Sequence, residues 1–253
     1  MKNAIDIKTH TLRAPGIHYL ICATPRSGST LLCEALRNTG LAGNPDEYFG
    51  PMHVERWNEQ WNTQTAHQYL ERVRKVGSGQ NGVWGAKVMR LYWEVFVGQL
   101  RDSVDTPLTD EALLSEVFPS LKCILITRRD KVRQAVSWMK FLQGSAWFWE
   151  KEIPQRIEGL VYRPDIISSS MEQTMAHESE WRQFFRDGGF AWTEVVYEDF
   201  VDAYEETAVQ MLDFLGVPRP KTVSFGSRRL RRQADDLSDR WVARYLSETS
   251  TTG

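Results

Sequence analysis

The sequence predicts an α/β fold: a single domain of three layers on a central, mostly parallel sheet, with a P-loop-like strand–loop–helix near its start. Three observations carry this. Short apolar runs recur along the 253 residues, helical patterns lie between them, and the first run passes through "ATPRSGST" directly into a helical pattern. Runs nearly continuous in apolar residues suit parallel strands covered on both faces, and strands that alternate with helices favour one parallel sheet between helical layers. Hydrophobic residues, at 42%, suffice for the large core such a sheet needs.

Taken in order, residues 1–16, "MKNAIDIKTHTLRAPG", have no continuous apolar stretch and read as a polar arm. The first strand is His18 to Ala23, and Leu31, Leu32, Ala35 and Leu36 follow at helical spacing. Residues 50–76 are polar and aromatic, with Trp57 and Trp61 one helical turn apart. Further strands are expected at Gly82 to Met89, Lys122 to Thr127 and Thr193 to Tyr197. Residues 143–170, which include "GSAWFWEKEIP", are the least regular part. Long irregular connections in compact domains are often functional, so 50–76 and 143–170 are read as substrate-facing insertions, with ordinary surface packing as the alternative. Near the end, Ala208, Val209, Met211, Leu212 and Leu215 share a helical face, Gly216 is the expected stop and Pro218 lies just beyond. Neither an internal repeat nor a low-complexity linker divides the chain, so residues 1–253 are expected to form one domain.

Composition narrows the function. With 31 basic against 33 acidic residues the net charge is −2, which argues against a nucleic-acid partner but leaves room for a local anion site. The three cysteines, Cys22, Cys33 and Cys123, fit no metal spacing, and Cys22 and Cys123 fall in expected strands, where a thiol acts as a small hydrophobe. No segment approaches the roughly 18 apolar residues needed to span a bilayer, so no membrane insertion and a cytoplasmic location are expected.

Two segments point to anion binding. In Thr24-Pro25-Arg26-Ser27-Gly28-Ser29-Thr30, a small polar turn leads into a helix N-terminus, whose amides and dipole favour an anion. Arg26 adds paired donors, and Ser27, Ser29 and Thr30 add hydroxyls. A nucleotide-hydrolysing P-loop needs Lys after its last glycine, yet Ser29 follows Gly28 here, which disfavours ATP or GTP hydrolysis. The second segment, "TRRDKVRQAVSWMKF", sets Arg128 and Arg129 at a strand end and Ser137 in the following helix. Ligands of open α/β sheets bind outside the carboxyl ends of the strands, so two such ends suit two phosphates of one ligand.

"PRSGST", "RRDKVRQAVS" and "YEDF" before "MLDFLGV" resemble the sulfotransferases that use 3′-phosphoadenylyl sulfate (PAPS). The closer likeness is to the bacterial trehalose 2-sulfotransferase type. It rests on "ATPRSGSTLLCEALRNTGLAGNPDEYF", "NGVWGAKVM", "RRDKVRQAVSWMK" and "RRQADDLSDRWVARY", in that order. The resemblance implies that Arg26, Ser27, Gly28, Ser29 and Thr30 hold the 5′-phosphosulfate of PAPS. It places Arg128 and Ser137 at the 3′-phosphate, with Arg129 as the alternative to Arg128, since the broader family spaces its Arg and Ser as Arg129 and Ser137 are. Arg232 and Gln233 match the late loop that closes over the nucleotide. A hydroxyl of a carbohydrate acceptor, trehalose or a related glycan or glycolipid, is the implied target, and a homodimer is compatible with the likeness.

Sulfuryl transfer to a hydroxyl needs a base for its proton and donors for charge on the departing phosphate. The scheme requires no metal, and five scattered histidines offer no compelling site for one. Glu47, in "GNPDEYF", matches the catalytic carboxylate of the trehalose type; His53 is the rival base and Asp46 the third candidate. Lys87, late in its strand, is read as a cation for the leaving group, with Arg90 as the alternative and Arg26 assisting. Among the ten tryptophans, Trp57, Trp61, Trp147 and Trp149 are candidates for stacking on a sugar, whereas Trp84, Trp181 and Trp241 are expected in the core. Two readings compete with the transferase: a P-loop-like nucleoside or sugar kinase using ATP, and a non-catalytic nucleotide-binding regulator.

Overall fold

The computed structural model describes residues 16–104, 107–144, 159–230 and 235–250. Its four strands are β1 (Ile17–Ala23), β2 (Val83–Met89), β3 (Lys122–Thr127) and β4 (Ala191–Val196). They form one fully parallel sheet in the order β2-β1-β3-β4, with Leu20 beside Ala86 on one flank and Cys123 on the other. The helices are α1 (Ser29–Asn38), α2 (Pro51–Trp61), α3 (Ala66–Gly77), α4 (Trp93–Arg101) and α5 (Asp110–Val117), followed by α6 (Lys131–Gly144), α7 (Pro164–Asp187), α8 (Tyr197–Asp202), α9 (Tyr204–Leu215) and α10 (Asp236–Ser250). All four strand positions expected from the sequence are occupied by strands.

The alternation of side chains along a strand divides the core between two faces. Leu20, Cys22, Ala86, Val88, Cys123 and Leu125 pack on one side against α3, α4, α5 and α7. Their neighbours Tyr19, Ile21, Ala23, Ile124 and Ile126 pack on the other side against α1 and α9. Both faces are therefore buried, as the continuous apolar runs required. Trp84 and Trp181 are fully buried in the first face, and Trp241 joins a satellite cluster of α6, α7 and α10. Gly216 closes α9 in the left-handed region at φ 73°, the stop expected there.

Residues 50–76 are more regular than the sequence suggested. Pro51 takes the first helical position of α2, and the Thr65 hydroxyl accepts the Gln68 amide hydrogen to cap α3. Tyr69, Leu70 and Val73 bury one side of α3, so much of this stretch is core-covering helix. Residues 143–170 are likewise not all irregular, since Pro164 opens the 24-residue helix α7. The arm 1–15 and residues 145–158, with Trp147 and Trp149, lie outside the described residues. No helix among the described residues is long and apolar enough to cross a membrane.

Candidate active site

The carboxyl edge of the sheet gathers the chemistry. β1 runs into Thr24–Gly28, β2 into a short 3₁₀ turn at Arg90–Tyr92, β3 into Arg128–Asp130 and β4 into Tyr197–Asp199. Trp181 fixes the end of β1 by donating from its indole nitrogen to the Ala23 carbonyl at 3.1 Å.

The loop after β1 has the geometry of an anion cradle. Leu31 and Leu32 donate their amide hydrogens to the Gly28 carbonyl. Among the described residues, no backbone carbonyl takes those of Gly28, Ser29 and Thr30, which sit at the positive end of α1. Gly28 has φ 95°, and a Cβ there would lie 2.3 Å from Cδ2 of Tyr197, so only glycine admits both the turn and the ring. Arg26 is also left-handed, at φ 60°. The Ser27 hydroxyl is buried with no hydrogen-bond partner. Leaving such a group unsatisfied costs about 1–3 kcal/mol, which a ligand oxygen would offset.

Helix α6 is tied to this loop at two points. Arg26 donates from Nε to the Ser137 hydroxyl at 2.9 Å. Gln134, 1% exposed, donates from its amide to the Thr24 hydroxyl at 3.0 Å and the Pro25 carbonyl at 2.7 Å. Arg128 turns inward over the Tyr197 ring, 4.8 Å from its centroid; its Nε makes no hydrogen bond but pairs loosely with Glu198 Oε1 at 3.8 Å. Burial lowers the pKa of both Arg26 and Arg128, and the charge of Arg128 lowers that of Arg26 further. Two partly buried guanidiniums near enough to repel each other favour an anion beside them. Arg129 points outward and grips both oxygens of Asp199 at 2.8 and 3.0 Å. Geometry thus favours Arg128 over Arg129 as the anion ligand.

Glu47 and Lys87 form the second part of the site. The Lys87 ammonium is 4% exposed, lies 2.6 Å from Glu47 Oε2, and donates to the Thr30 hydroxyl at 3.2 Å. Burial alone would lower its pKa, but the charge of Glu47, its hydrogen bond and other neighbours outweigh that and hold the amine above lysine's ordinary value. His53 Nε2 lies 3.9 Å from Glu47 Oε1, and burial keeps the imidazole pKa below its usual value despite the carboxylate. Asp46 is half-exposed, faces Arg37 at 3.5 Å and accepts the Glu47 amide hydrogen at 2.8 Å. It therefore supports Glu47 rather than sharing its position.

The remaining candidates fall elsewhere. Arg90 donates to Glu180 at 2.7 Å and lies over the Trp93 and Trp181 rings. Trp57 and Trp61 stack on each other at 4.6 Å and pack beside Tyr48 and the core. Arg232 and Gln233 lie outside the described residues. No group of three or more metal-ligating side chains occurs among the described residues.

Several supporting residues were not singled out from sequence. Glu198 accepts the amide hydrogens of Arg129 and Asp130 at 2.9 and 3.2 Å. Lys131 spans from the buried Glu178 of α7 to the Arg128 carbonyl. Gln134 carried a signal, since it precedes Ser137 by three residues and so shares its helix face. Glu178 carried none, because only the packing of α7 brings it near β3.

Comparison with known proteins supplies the context for this geometry. A family model described as Stf0 sulphotransferase matches residues 18–248. A protein of Mycobacterium tuberculosis strain Erdman named trehalose 2-sulfotransferase is 30% identical, the alignment covering 93% of this chain and 96% of that one. Its namesake in Mycolicibacterium smegmatis is 31% identical with the same coverage. A solved sulfotransferase domain from the curacin biosynthetic pathway aligns over 93% of this chain and 98% of its own, with a TM-score of 0.47 and 15% identity.

Proposed function

The chain belongs to the Stf0 sulphotransferase family and is a sulfotransferase, and from that premise we propose that it moves the sulfuryl group of PAPS to a hydroxyl of a carbohydrate. Trehalose or a related glycan or glycolipid is the acceptor we favour, on the strength of the mycobacterial relatives. The observation that carries the reading is the Lys87 ammonium held between the Glu47 carboxylate and the Thr30 hydroxyl of the anion loop. One side chain thereby joins a base to a cradle for the group being transferred.

In this scheme Glu47 takes the proton of the acceptor hydroxyl as its oxygen bonds to sulfur. The sulfur–oxygen bond to the phosphate breaks, and adenosine 3′,5′-bisphosphate leaves with the electron pair. Lys87, Arg26 and the amides of Gly28, Ser29 and Thr30 stabilise charge on the phosphosulfate, while Arg128 and Ser137 hold the 3′-phosphate. The buried, unpartnered Ser27 hydroxyl and the space kept open at Gly28 fit such a ligand. The kinase reading is disfavoured because Ser29 stands where the catalytic Lys of an ATP-binding loop belongs.

Two measurements test this together. Without Mg²⁺, adenosine 3′,5′-bisphosphate at about 100 times its Kd should raise the melting temperature by roughly 5–10 °C, and ATP far less. Glu47→Gln should keep that shift but lose about 100-fold or more of transfer from labelled PAPS. A larger shift with ATP would overturn the donor, and near-normal turnover in the variant would overturn Glu47 as base.

A further inference from the structure

The order of strands imposes an order on whatever lies across their carboxyl ends. The anion loop follows β1, and Arg128 follows β3 on one side of it. The turn Arg90–Tyr92 follows β2 on the other side. In-line transfer places the entering oxygen opposite the leaving oxygen. With the donor nucleotide extending toward β3, the acceptor has to arrive from the β2 side.

A groove of about 500 Å³ lies there, formed by Pro51 at the start of α2, the Arg90–Tyr92 turn, the first turn of α4, and Glu180 of α7. That volume is typical of small-molecule sites. Gly50 connects it to the base. A Cβ on Gly50 would lie 3.2 Å from Glu47 Oε1 and 3.4 Å from the Tyr92 hydroxyl, so the carboxylate and the Tyr92 wall of the groove flank the same backbone carbon.

We propose that this groove is an acceptor subsite: it holds the sugar ring next to the one being sulfated, in a disaccharide or longer acceptor. The proposal rests on the carbohydrate-sulfation reading above and adds where the rest of the acceptor lies. Its walls match a pyranose. Leu91 and Val95 expose apolar surface, 40% and 39% exposed, for the ring's C–H face. Glu180 accepts the Arg90 Nε hydrogen through Oε2, and among the described residues Oε1 accepts no hydrogen bond. Together the carboxylate and the guanidinium offer an acceptor and donors to neighbouring hydroxyls. Arg90 is already held over the rings of Trp93 and Trp181, so little order is lost on binding.

The test compares trehalose with glucose as acceptors of labelled sulfate from PAPS, in the wild type, Glu180→Ala and Val95→Trp. Glu180 is about half exposed and Val95 lies on the surface, so neither change threatens the fold. Each variant should lose roughly tenfold or more in kcat/KM for trehalose, mostly through KM, and no more than about twofold for glucose. The melting shift with adenosine 3′,5′-bisphosphate should be unchanged. Variants that leave trehalose turnover intact, or reduce both sugars equally, would overturn the subsite alone. A wild type that sulfates neither sugar would overturn trehalose as the acceptor, and the subsite as proposed with it.

Discussion

Lys87 shows how one buried side chain acquires its chemistry from its surroundings. A lysine inside an apolar strand is expected to be paired or to reach the rim, and Lys87 is paired: it stays buried, Glu47 meets it at 2.6 Å and it donates to the Thr30 hydroxyl. Glu47 and Lys87 were legible from sequence because each sits in a short ordered motif; their pairing was not, since 40 residues and two helices separate them. The pair has a consequence for stability. The folded state holds the Lys87 proton more tightly than the unfolded chain, so this stabilisation is complete below lysine's ordinary 10.5 and is lost as pH rises through the folded value. Lys87→Met lacks that titration. The melting-temperature gap between wild type and variant should therefore hold steady through neutral pH and narrow above about pH 10.5. A gap that stays constant into strong alkali would show that the ammonium contributes nothing to the fold.

Among elements, the anion loop depends on a neighbour distant in sequence. "PRSGST" announced the turn, but nothing local to it shows that Tyr197 from the β4–α8 junction lies against Gly28. Gly28→Ala should cost about 1–2 kcal/mol for the left-handed backbone alone, and more from the overlap with the ring. Adding Tyr197→Ala should restore the overlap part of the loss and leave the backbone part. The check is chemical denaturation of the single and double variants. If the double variant is no more stable than Gly28→Ala, the Tyr197 contact does not limit the loop. Helices α2 and α3 show the opposite case. Pro51, the Thr65 cap and the Tyr69, Leu70, Val73 face were present in residues 50–76, but polar and aromatic residues between them masked the period.

At the scale of the whole molecule, burial on both faces of the sheet takes the three cysteines out of chemistry. Cys22, Cys33 and Cys123 are free and buried, and burial pushes the Cys33 thiol up to about 12. The folded protein should resist thiol reagents at about pH 8 and release all three thiols only in denaturant. Rapid labelling of the native protein would contradict this packing. By itself the sequence determined the α/β class and the strand positions, and it marked the loop after the first strand as a candidate anion cradle. These depend on periodicity and on motifs a few residues long, which local physics is enough to impose. Only the tertiary structure decided that Arg128 rather than Arg129 turns inward, that Asp46 supports Glu47, and that Arg90 belongs to a groove beside the site. Those choices depend on parallel strands setting distant segments side by side, and that alignment follows from sealing a core on both faces of the sheet.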